Sequence, residues 1–227
     1  ERDRNFNVAT AHRQPGSSFK PFIYATAFNK GFTPDTVLFD VPTEFQTTCN
    51  AYGKTLAGHS QKDCYMPDNY DGKFRGPMSL RNALAQSINV PAVKLFYLAG
   101  IKDSFKTSES MGISTLTDSS RYGLTLVIGG GEVSLLDITS AYGVFANNGI
   151  RNPYTGILKV EDNTGKVLEE YTPNTREVLS KNVALTVSDI LSDNVARTPT
   201  FGANSPLVVG GHNVAVKTGT TNDKRDA

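Results

Sequence analysis

The chain has 227 residues, of which 38% are hydrophobic and 20% are charged, and its formal net charge is +1. Its 23 basic residues are balanced by 22 acidic ones, so the chain has no electrostatic footprint for nucleic acid. No run of about 18 apolar residues is present, which excludes a membrane-spanning helix within this sequence. The length is sufficient for one large domain with a substantial core.

The first predicted elements are a short strand over residues 4–13 and a helix that follows it to about Asn29. Ser17 lies at or next to the start of this helix, and Lys20 lies one turn later on the same face. A neutral lysine in that position can accept the serine proton and make the hydroxyl a nucleophile. Taken alone, however, Ser-x-x-Lys is weak evidence, because Ser17 is also placed as an ordinary helix N-cap would be.

Residues 34–77 are rich in Pro, Gly, Asp, Asn and Thr, and they predict a long irregular excursion of the kind that often carries function. Cys49 and Cys64 flank a polar segment within it. A disulfide outside the cytoplasm and a pair of free or buried thiols both fit these two cysteines, and the residues leave the choice open. The three histidines are scattered and form no metal pattern with the cysteines, so we expect neither a metal nor a cofactor.

The middle of the chain predicts two helices joined by a short connection. Ser79 is a favourable N-cap for the first helix, and Pro91 fits the first position of the second, which runs to Gly100. Ser87 and Asn89 therefore lie in the connection, with their side chains directed at whatever lies opposite. The Ser-x-Asn spacing alone indicates only capping chemistry.

The second half of the chain predicts a mixture of helices and strands. We expect helices over residues 103–111, over about 133–147 and after Ser180, and a hairpin made of residues 156–161 and 166–171. The glycines at 129–131 lack the spacing of a phosphate-binding loop, and we interpret them as a turn.

The last predicted element is a buried strand over Asn213–Thr221 that ends in polar residues. It is apolar on both faces, which suits the interior of a sheet. Since the chain has few βαβ units, these elements predict an α+β fold with helices packed around a sheet.

Three short motifs follow one another in the chain: Ser17-x-x-Lys20, Ser87-x-Asn89 and Lys217-Thr218-Gly219. The first residues of these motifs are separated by 70 and 130 positions (87 − 17 and 217 − 87). Each motif is common alone, but all three in this order resemble the set found in class A β-lactamases and penicillin-binding proteins.

Longer strings resemble the transpeptidase domain of class A, bifunctional penicillin-binding proteins, and the resemblance covers nearly the whole chain. The strings are RQPGSSFKP at 13–21, NYDG at 69–72, LRNALAQSINVPAV at 80–93, AYGVFANNG at 141–149 and KTGTTND at 217–223. The resemblance implies that residues 1–227 form one transpeptidase domain of the penicillin-binding and serine β-lactamase-like fold, with an antiparallel sheet and helices around it.

In that family further strands follow the Lys-Thr-Gly strand, and class A members carry an N-terminal glycosyltransferase domain and a membrane anchor. Because none of these is in the sequence, we expect the chain to be a fragment, attached to the membrane only through a missing N-terminal region. An unpaired edge on the Asn213–Thr221 strand would then make the piece poorly stable, or pair with residues 4–13 or with another chain.

The resemblance implies a substrate, a reaction and a location outside the cytoplasm, on the periplasmic or outer face of a bacterial membrane. Ser17 attacks the penultimate carbonyl of a peptidoglycan stem peptide that ends in D-Ala-D-Ala, releases D-alanine and forms an acyl-enzyme. An amine of a second stem peptide then takes the acyl group. β-Lactams acylate the same serine, and a carboxypeptidase side activity is compatible with the same chemistry.

It also implies a role for each motif residue. Lys20 is the base, with a pKa lowered by burial and by the cation at Lys217. Ser87 relays a proton toward the leaving nitrogen, and Asn89 offers its amide to the substrate backbone or to Lys20.

The remaining implied roles concern the Lys-Thr-Gly segment. Lys217, Thr218 and Thr220 bind the terminal carboxylate, while Gly219 leaves room for the substrate along the backbone. The backbone N–H groups of Ser17 and Thr220 form the oxyanion hole.

Two other readings share these motifs. A serine β-lactamase of class A needs a glutamate that activates the deacylating water, and no Glu-x-x-Leu-Asn follows Asn89. A module that only binds or senses β-lactams could retain Ser17, Lys20 and Lys217. Nitrocefin turnover distinguishes the first alternative, and transpeptidation of a lipid-linked substrate distinguishes the second.

Overall fold

The structure is a computed structural model that describes residues 6–116 and 121–220. Helices make up most of its regular structure. The seven α-helices within the described residues are α1 (Lys20–Asn29), α2 (Leu80–Ala85), α3 (Asn89–Ala99), α4 (Ile101–Met111), α5 (Leu135–Ala146), α6 (Lys181–Ser192) and α7 (Asn194–Phe201).

The described strands are short and form four antiparallel pairs. These pairs are β1 (His12–Arg13) with β4 (Val133–Ser134), β2 (Val37–Asp40) with β3 (Gly76–Ser79), β5 (Ile150–Arg151) with β8 (Arg176–Glu177), and β6 (Lys159–Glu161) with β7 (Val167–Glu170). The β6–β7 pair confirms the predicted hairpin, and the mixture of helices and antiparallel strands confirms the α+β class.

Helix α1 lies at the centre of the molecule. Every residue from Lys20 to Phe28 is buried, as expected for a helix that is apolar on nearly all sides. Phe22 packs against Tyr142 and Phe145 of α5, with ring centroids 5.4 and 5.6 Å apart. Burial of such a side chain contributes roughly 1.5–3 kcal/mol, so this packing fixes the position of the residues that lead into α1.

The predicted helix starts are confirmed by their capping bonds. The hydroxyl of Ser79 accepts a hydrogen bond from the Asn82 N–H, and the hydroxyl of Ser180 accepts one from the Val183 N–H. At the other end of a helix, Gly112 closes α4 with a φ of 117°, a left-handed conformation that glycine adopts without steric cost.

The excursion between α1 and α2 contains the strand pair β2–β3 and a disulfide. Cys49 and Cys64 are bonded at 2.04 Å, so the structure selects the disulfide from the two states that the sequence left open. Asp40, at the end of β2, faces Gly76 at the start of β3. The pairing holds the beginning and the end of the excursion together beside α3.

Two strand predictions differ from the structure. Of the strand predicted over residues 4–13, only His12–Arg13 pairs, with Val133–Ser134, while residues 1–5 lie outside the described residues. The strand predicted over Asn213–Thr221 is wrong for its described part, because no other described segment forms a ladder with it; Thr221 itself lies outside the description.

The predicted burial is also wrong, because Val214 and Val216 are only half-buried and Ala215 is exposed. An apolar run in the sequence does not by itself specify the neighbour that would cover it or pair with it. Here the N–H of Val216 bonds instead to the carbonyl of Leu191 at the end of α6, with a donor–acceptor distance of 3.0 Å. The expected pairing of this segment with residues 4–13 is absent from the described residues, where His12–Arg13 pairs with Val133–Ser134. The low stability of the piece stays a prediction.

Candidate active site

The proposed nucleophile lies in the turn that leads into α1. Residues Gly16–Phe19 form a 3-10 helix, in which Gly16 has a φ of +56°. Ser17 is half-buried, and its hydroxyl has no hydrogen-bond partner among the described residues. The next hydroxyl is engaged, since Ser18 donates to the carbonyl of Pro15 at 2.6 Å. Of the two adjacent serines, Ser17 is therefore the one whose hydroxyl is not engaged within the described residues.

Lys20 is fully buried, and its amine is surrounded by acceptors from the α2–α3 connection. Its Nζ donates to the carbonyl of Ser87 at 2.7 Å, to Oδ1 of Asn89 at 2.7 Å and to the carbonyl of Ile88 at 3.3 Å. Burial, and secondly the nearby cation of Lys217, hold the pKa of Lys20 well below its usual value. Only the ammonium form can donate all three bonds. The neutral amine, which a general base requires, has two N–H groups for these acceptors and a free lone pair.

Ser87 and Asn89 are placed by a sharp turn rather than by a loose loop. Ser87 has a φ of +61°, which is unusual for a residue with a side chain, and Asn89 is already the first residue of α3. The turn directs the Ser87 carbonyl to Lys20 and the Ser87 hydroxyl to Lys217. Of the two partners expected for the Asn89 amide, the structure shows Lys20.

Lys217 completes a chain of polar contacts across the site. Its Nζ donates to Oγ of Ser87 at 2.7 Å and to the carbonyl of Thr218 at 2.8 Å. Burial of the ammonium lowers the pKa of Lys217 to about 7. This amine can therefore gain or lose a proton near neutral pH, and the Ser87 hydroxyl links it to the Lys20 environment.

The segment after Lys217 touches the serine turn backbone to backbone. A Cβ on Gly16 would lie 2.5 Å from the carbonyl oxygen of Thr220, and a Cβ on Gly219 would lie 2.7 Å from the carbonyl oxygen of Pro15. Contacts this short leave no space for a side chain on either glycine. Thr220 is thus adjacent to the turn that carries Ser17, and its N–H has no acceptor among residues 6–116 and 121–220.

A cavity of about 660 Å³ lies beside the serine turn. Pro15, Ser18, Tyr142, Lys217 and Gly219 line it, whereas Ser17 and Lys20 are not among its lining residues. The cavity is therefore adjacent to the proposed chemistry but does not enclose the nucleophile.

One group of described side chains lies close enough together to hold a metal ion. Glu44, Cys49 and Cys64 are the one described group close enough to share an ion, but its two sulfurs are bonded to each other and are not available as thiolates. In the described part of the chain, no helix is long and apolar enough to cross a bilayer.

Comparison with known families identifies this arrangement. The family model of the penicillin-binding protein transpeptidase domain matches residues 2–226. The chain belongs to this family.

Relatives of the transpeptidase family support the assignment along the whole chain. Penicillin-binding protein 1A of Neisseria lactamica is 34% identical over 232 residues, with 99% of this chain and 27% of that protein covered. Penicillin-binding protein 1A of Aquifex aeolicus is 37% identical over 223 residues, covering 98% and 28%. The chain thus spans less than a third of the length of these relatives.

A solved transpeptidase relative shares the fold. The crystal structure of penicillin-binding protein 1A from Haemophilus influenzae superimposes with a TM-score of 0.71 at 29% identity, covering 85% of this chain and 31% of that one. The expected penicillin-binding transpeptidase fold is therefore confirmed, although the described strands of this chain lie in separate pairs.

The transpeptidase motifs predicted from the sequence meet in one place. Lys20, Ser87, Asn89 and Lys217 are joined by direct hydrogen bonds, and Thr220 touches the turn of the nucleophile. The catalytic and binding roles of these residues stay predictions. The matched string at 217–223 is described only as far as Thr220.

Sequence analysis missed two features that hold the nucleophile turn. A Cβ on Gly129 would lie 2.2 Å from Cα of Gly16, so the glycine that we interpreted as a turn residue is also the surface on which the serine turn rests. The hydroxyl of Tyr142 donates to the carbonyl of Ser18 at 2.7 Å. The run of three glycines is visible in the sequence, but its contact with Gly16, 113 positions earlier (129 − 16), is not.

Proposed function

We propose that this chain is the acyl-transferring part of a D,D-transpeptidase that cross-links peptidoglycan stem peptides and is acylated by β-lactams. The observation that carries the proposal is the buried Lys20, which lies three residues after Ser17, has a lowered pKa and is linked through Ser87 to Lys217. Membership of the penicillin-binding transpeptidase family supports the same chemistry.

In the proposed acylation, the hydroxyl of Ser17 attacks the carbonyl of the penultimate D-alanine, and Lys20 accepts the proton. The backbone N–H groups of Ser17 and Thr220 stabilise the oxyanion, an effect that is typically worth about 3 kcal/mol for each donor. When the tetrahedral intermediate collapses, the amine of the terminal D-alanine leaves with a proton delivered through Ser87. The products are an ester on Ser17 and free D-alanine.

In the second half-reaction, an amine of another stem peptide attacks the ester and forms the new amide. The proton of the attacking amine returns through the same groups to Oγ of Ser17, so the enzyme is regenerated. Water in place of the amine would give the carboxypeptidase side reaction.

Recognition of the donor is assigned to the segment after the last motif lysine. The ammonium of Lys217 and the hydroxyls of Thr218 and Thr220 would bind the terminal carboxylate, which a β-lactam also presents. The missing side chain of Gly219 would keep the backbone of this segment accessible to an extended peptide. It also permits the close contact with the carbonyl of Pro15.

The proposed location is extracytoplasmic, with attachment to the membrane through a part of the parent protein outside this sequence. The disulfide between Cys49 and Cys64 supports this location, because such bonds persist in oxidising compartments. The nearly balanced charge of the chain supports the absence of nucleic acid among its partners.

The decisive experiment is covalent labelling. The chain is incubated with a fluorescent penicillin, digested, and the labelled peptide is identified by mass spectrometry. We expect a single adduct on Ser17, none in Ser17→Ala, and normal labelling in the matched control Ser18→Ala. Label on another serine, or undiminished labelling of Ser17→Ala, would contradict the proposal.

Two further assays separate the alternatives. A stable adduct without nitrocefin turnover excludes a β-lactamase, whereas rapid hydrolysis would identify one. Cross-linked product from a lipid-linked stem-peptide substrate supports a transpeptidase, whereas acylation without any product would identify a module that only binds β-lactams.

A further inference from the structure

The α2–α3 connection, which holds Lys20, is itself held from the opposite side by the excursion. Ile88 is the N-cap residue of α3, and its apolar side chain cannot accept a hydrogen bond. The first N–H groups of the helix, those of Asn89 and Val90, donate instead to Oδ1 of Asn69 at 2.9 and 3.2 Å. Asn69 thus acts as the N-cap of a helix that begins 20 residues later in the chain.

The same contact orients the amide of Asn89. Its Nδ2 donates to the carbonyl of Asp68 at 2.9 Å, and a carbonyl oxygen can only accept. Oδ1 of Asn89 must therefore face the other way, toward Lys20, where it accepts from Nζ at 2.7 Å. Residues 68 and 69 together fix both the backbone and the side chain of Asn89.

Asn69 is oriented in turn by a buried carboxylate. Its Nδ2 donates to both oxygens of Asp40, at 2.7 and 3.0 Å, and to the carbonyl of Lys73 at 2.8 Å, which leaves its Oδ1 directed at α3. Asp40 is 0% exposed and Asn69 only 4%, so neither contact is exchanged for water. The Arg75 N–H also donates to Asp40 at 2.9 Å, and the Arg75 guanidinium lies 3.8 Å away.

On the basis of the proposed function, we propose that Asn69, oriented by Asp40, is a positioning residue for acylation. It fixes the Ser87–Asn89 turn, whose two carbonyls and amide oxygen bind the amine of Lys20. Neither Asp40 nor Asn69 is in contact with Lys20 or Ser17, so their effect passes through the turn. A displacement of catalytic groups by about 1 Å can lower a rate by about 10²-fold, which sets the expected scale.

The pair can be tested by exchanging its two side chains. Asn69→Asp keeps the acceptor for α3 but removes the donor to Asp40 and places two carboxylates in contact. Asp40→Asn removes the carboxylate that orients Asn69. The double variant Asp40→Asn/Asn69→Asp restores a donor–acceptor pair between residues 40 and 69 with the same total charge, so that residue 69 again accepts from α3. The bond that Asn69 donates to the carbonyl of Lys73 is not restored.

The measurement separates binding from chemistry in the full chain. Penicillin acylation is followed by stopped flow to give the Kd of the non-covalent complex and the rate of the covalent step. For each single variant we expect the covalent step to fall by about 10²-fold with a much smaller change in Kd, and the exchanged pair to recover most of the rate.

Asp137→Asn is the matched control for lost stability. Asp137 is also 4% exposed and accepts bonds from the backbone and hydroxyl of Ser114, and none of its described hydrogen bonds involves the Ser87–Asn89 turn. We expect its Tm to fall while its rate of acylation at a temperature well below the Tm is unchanged. This comparison distinguishes a positioning effect from general destabilisation.

The outcomes are distinguishable. If the single variants acylate as fast as the parent, or if the exchanged pair is as slow as the single variants, the positioning role is wrong. If a single variant does not fold, the other single variant and the exchanged pair still decide the result. If the parent itself is not acylated on Ser17, the proposed function fails and not merely this role.

Discussion

At the residue scale, the two lysines of the site differ in what surrounds their amines. Lys20 is enclosed by two carbonyls and the amide oxygen of Asn89, whereas Lys217 contacts one hydroxyl and one carbonyl. Neither amine has a carboxylate partner among the described residues, so burial lowers both pKa values without compensation. The chemistry proposed for the site depends on this difference from an ordinary surface lysine.

The first prediction concerns the base. Lys20→Arg keeps a cation but removes the proton acceptor, because a guanidinium stays protonated at any working pH. We expect the rate of acylation by penicillin to fall by about 10²–10⁴-fold, the usual contribution of a general base. Lys30→Arg, at the other end of α1, is the control and should acylate normally. A fast Lys20→Arg variant would mean that Lys20 acts only by charge or packing.

The second prediction concerns stability and pH. Lys217 has a folded-state pKa of about 7, below the usual 10.5. Between pH 7 and 10 the unfolded chain keeps a proton that the folded chain has released, so the contribution of Lys217 to the free energy of unfolding rises with pH. Below pH 7 both states carry the proton, and the full penalty for burying the charge remains.

The free energy of unfolding of Lys217→Met should therefore exceed that of the parent most at pH 6. This difference should become progressively smaller as the pH rises to 9.5. Urea unfolding across this range measures the difference. Lys54→Met removes one exposed cation and serves as the control. Its free energy of unfolding should differ from that of the parent by a nearly constant amount across this pH range. A constant difference for Lys217→Met as well would show that Lys217 is not proton-depleted in the folded state.

At the element scale, the site is made where three short backbone segments touch. The 3-10 turn of Ser17 rests on Gly129 at the end of another 3-10 helix, Gly123–Ile128, and on Thr220. Such contacts require glycine, since any Cβ would overlap backbone atoms that cannot move independently. The close packing of these backbone segments therefore depends on the absence of a side chain at their glycines.

The third prediction follows from this contact. Gly129→Ala places a Cβ 2.2 Å from Cα of Gly16 and forces a side chain onto a φ of +92°. We expect the free energy of unfolding to fall by about 1–3 kcal/mol from overpacking alone, together with slower acylation because the turn of Ser17 shifts.

Gly210→Ala is the control for this change, because a Cβ at Gly210 meets nothing within 4 Å. Its stability, from urea unfolding, and its penicillin acylation should stay close to those of the parent. A Gly129→Ala variant with parental stability and acylation rate would show that the turn relaxes freely, contrary to the contact described.

At the scale of the whole molecule, one hydrophobic core supports all parts of the site. The core cluster extends from Phe19 to Ala196 and includes buried residues of α1, α3, α5 and α6. The site groups, separated by up to 203 positions in the chain (220 − 17), are brought together only by the packing of these helices. Unfolding of the core should therefore disrupt the site in the same transition.

The fourth prediction is that thermal unfolding and loss of the site coincide. The transition measured by far-UV circular dichroism and the temperature at which penicillin labelling disappears should agree, as for a cooperative two-state domain. Labelling that is lost well below the circular dichroism transition would instead indicate local opening of the site. Labelling of unheated samples kept for the same time controls for slow inactivation.

Local patterns in the sequence were sufficient for much of the fold. Ser79 and Ser180 begin helices and Gly112 ends one because capping depends on neighbouring residues alone. The apolar period of α1 and the hairpin of β6 and β7 are equally local. The strand predicted over Asn213–Thr221 failed because strand pairing depends on a second segment, which the pattern of the first does not specify.

For the site, the sequence alone determined the types of residue that do the chemistry, because the spacing of Ser17 and Lys20 fixes them on one turn. Only the tertiary structure decided which other groups form hydrogen bonds with the residues of the site. The link from Lys217 to Ser87 and the support of Asn89 by Asn69 and Asp40 join residues that are remote in the chain. A hydrogen bond depends on distance and direction in space, and those are set by the packing of whole helices rather than by sequence separation.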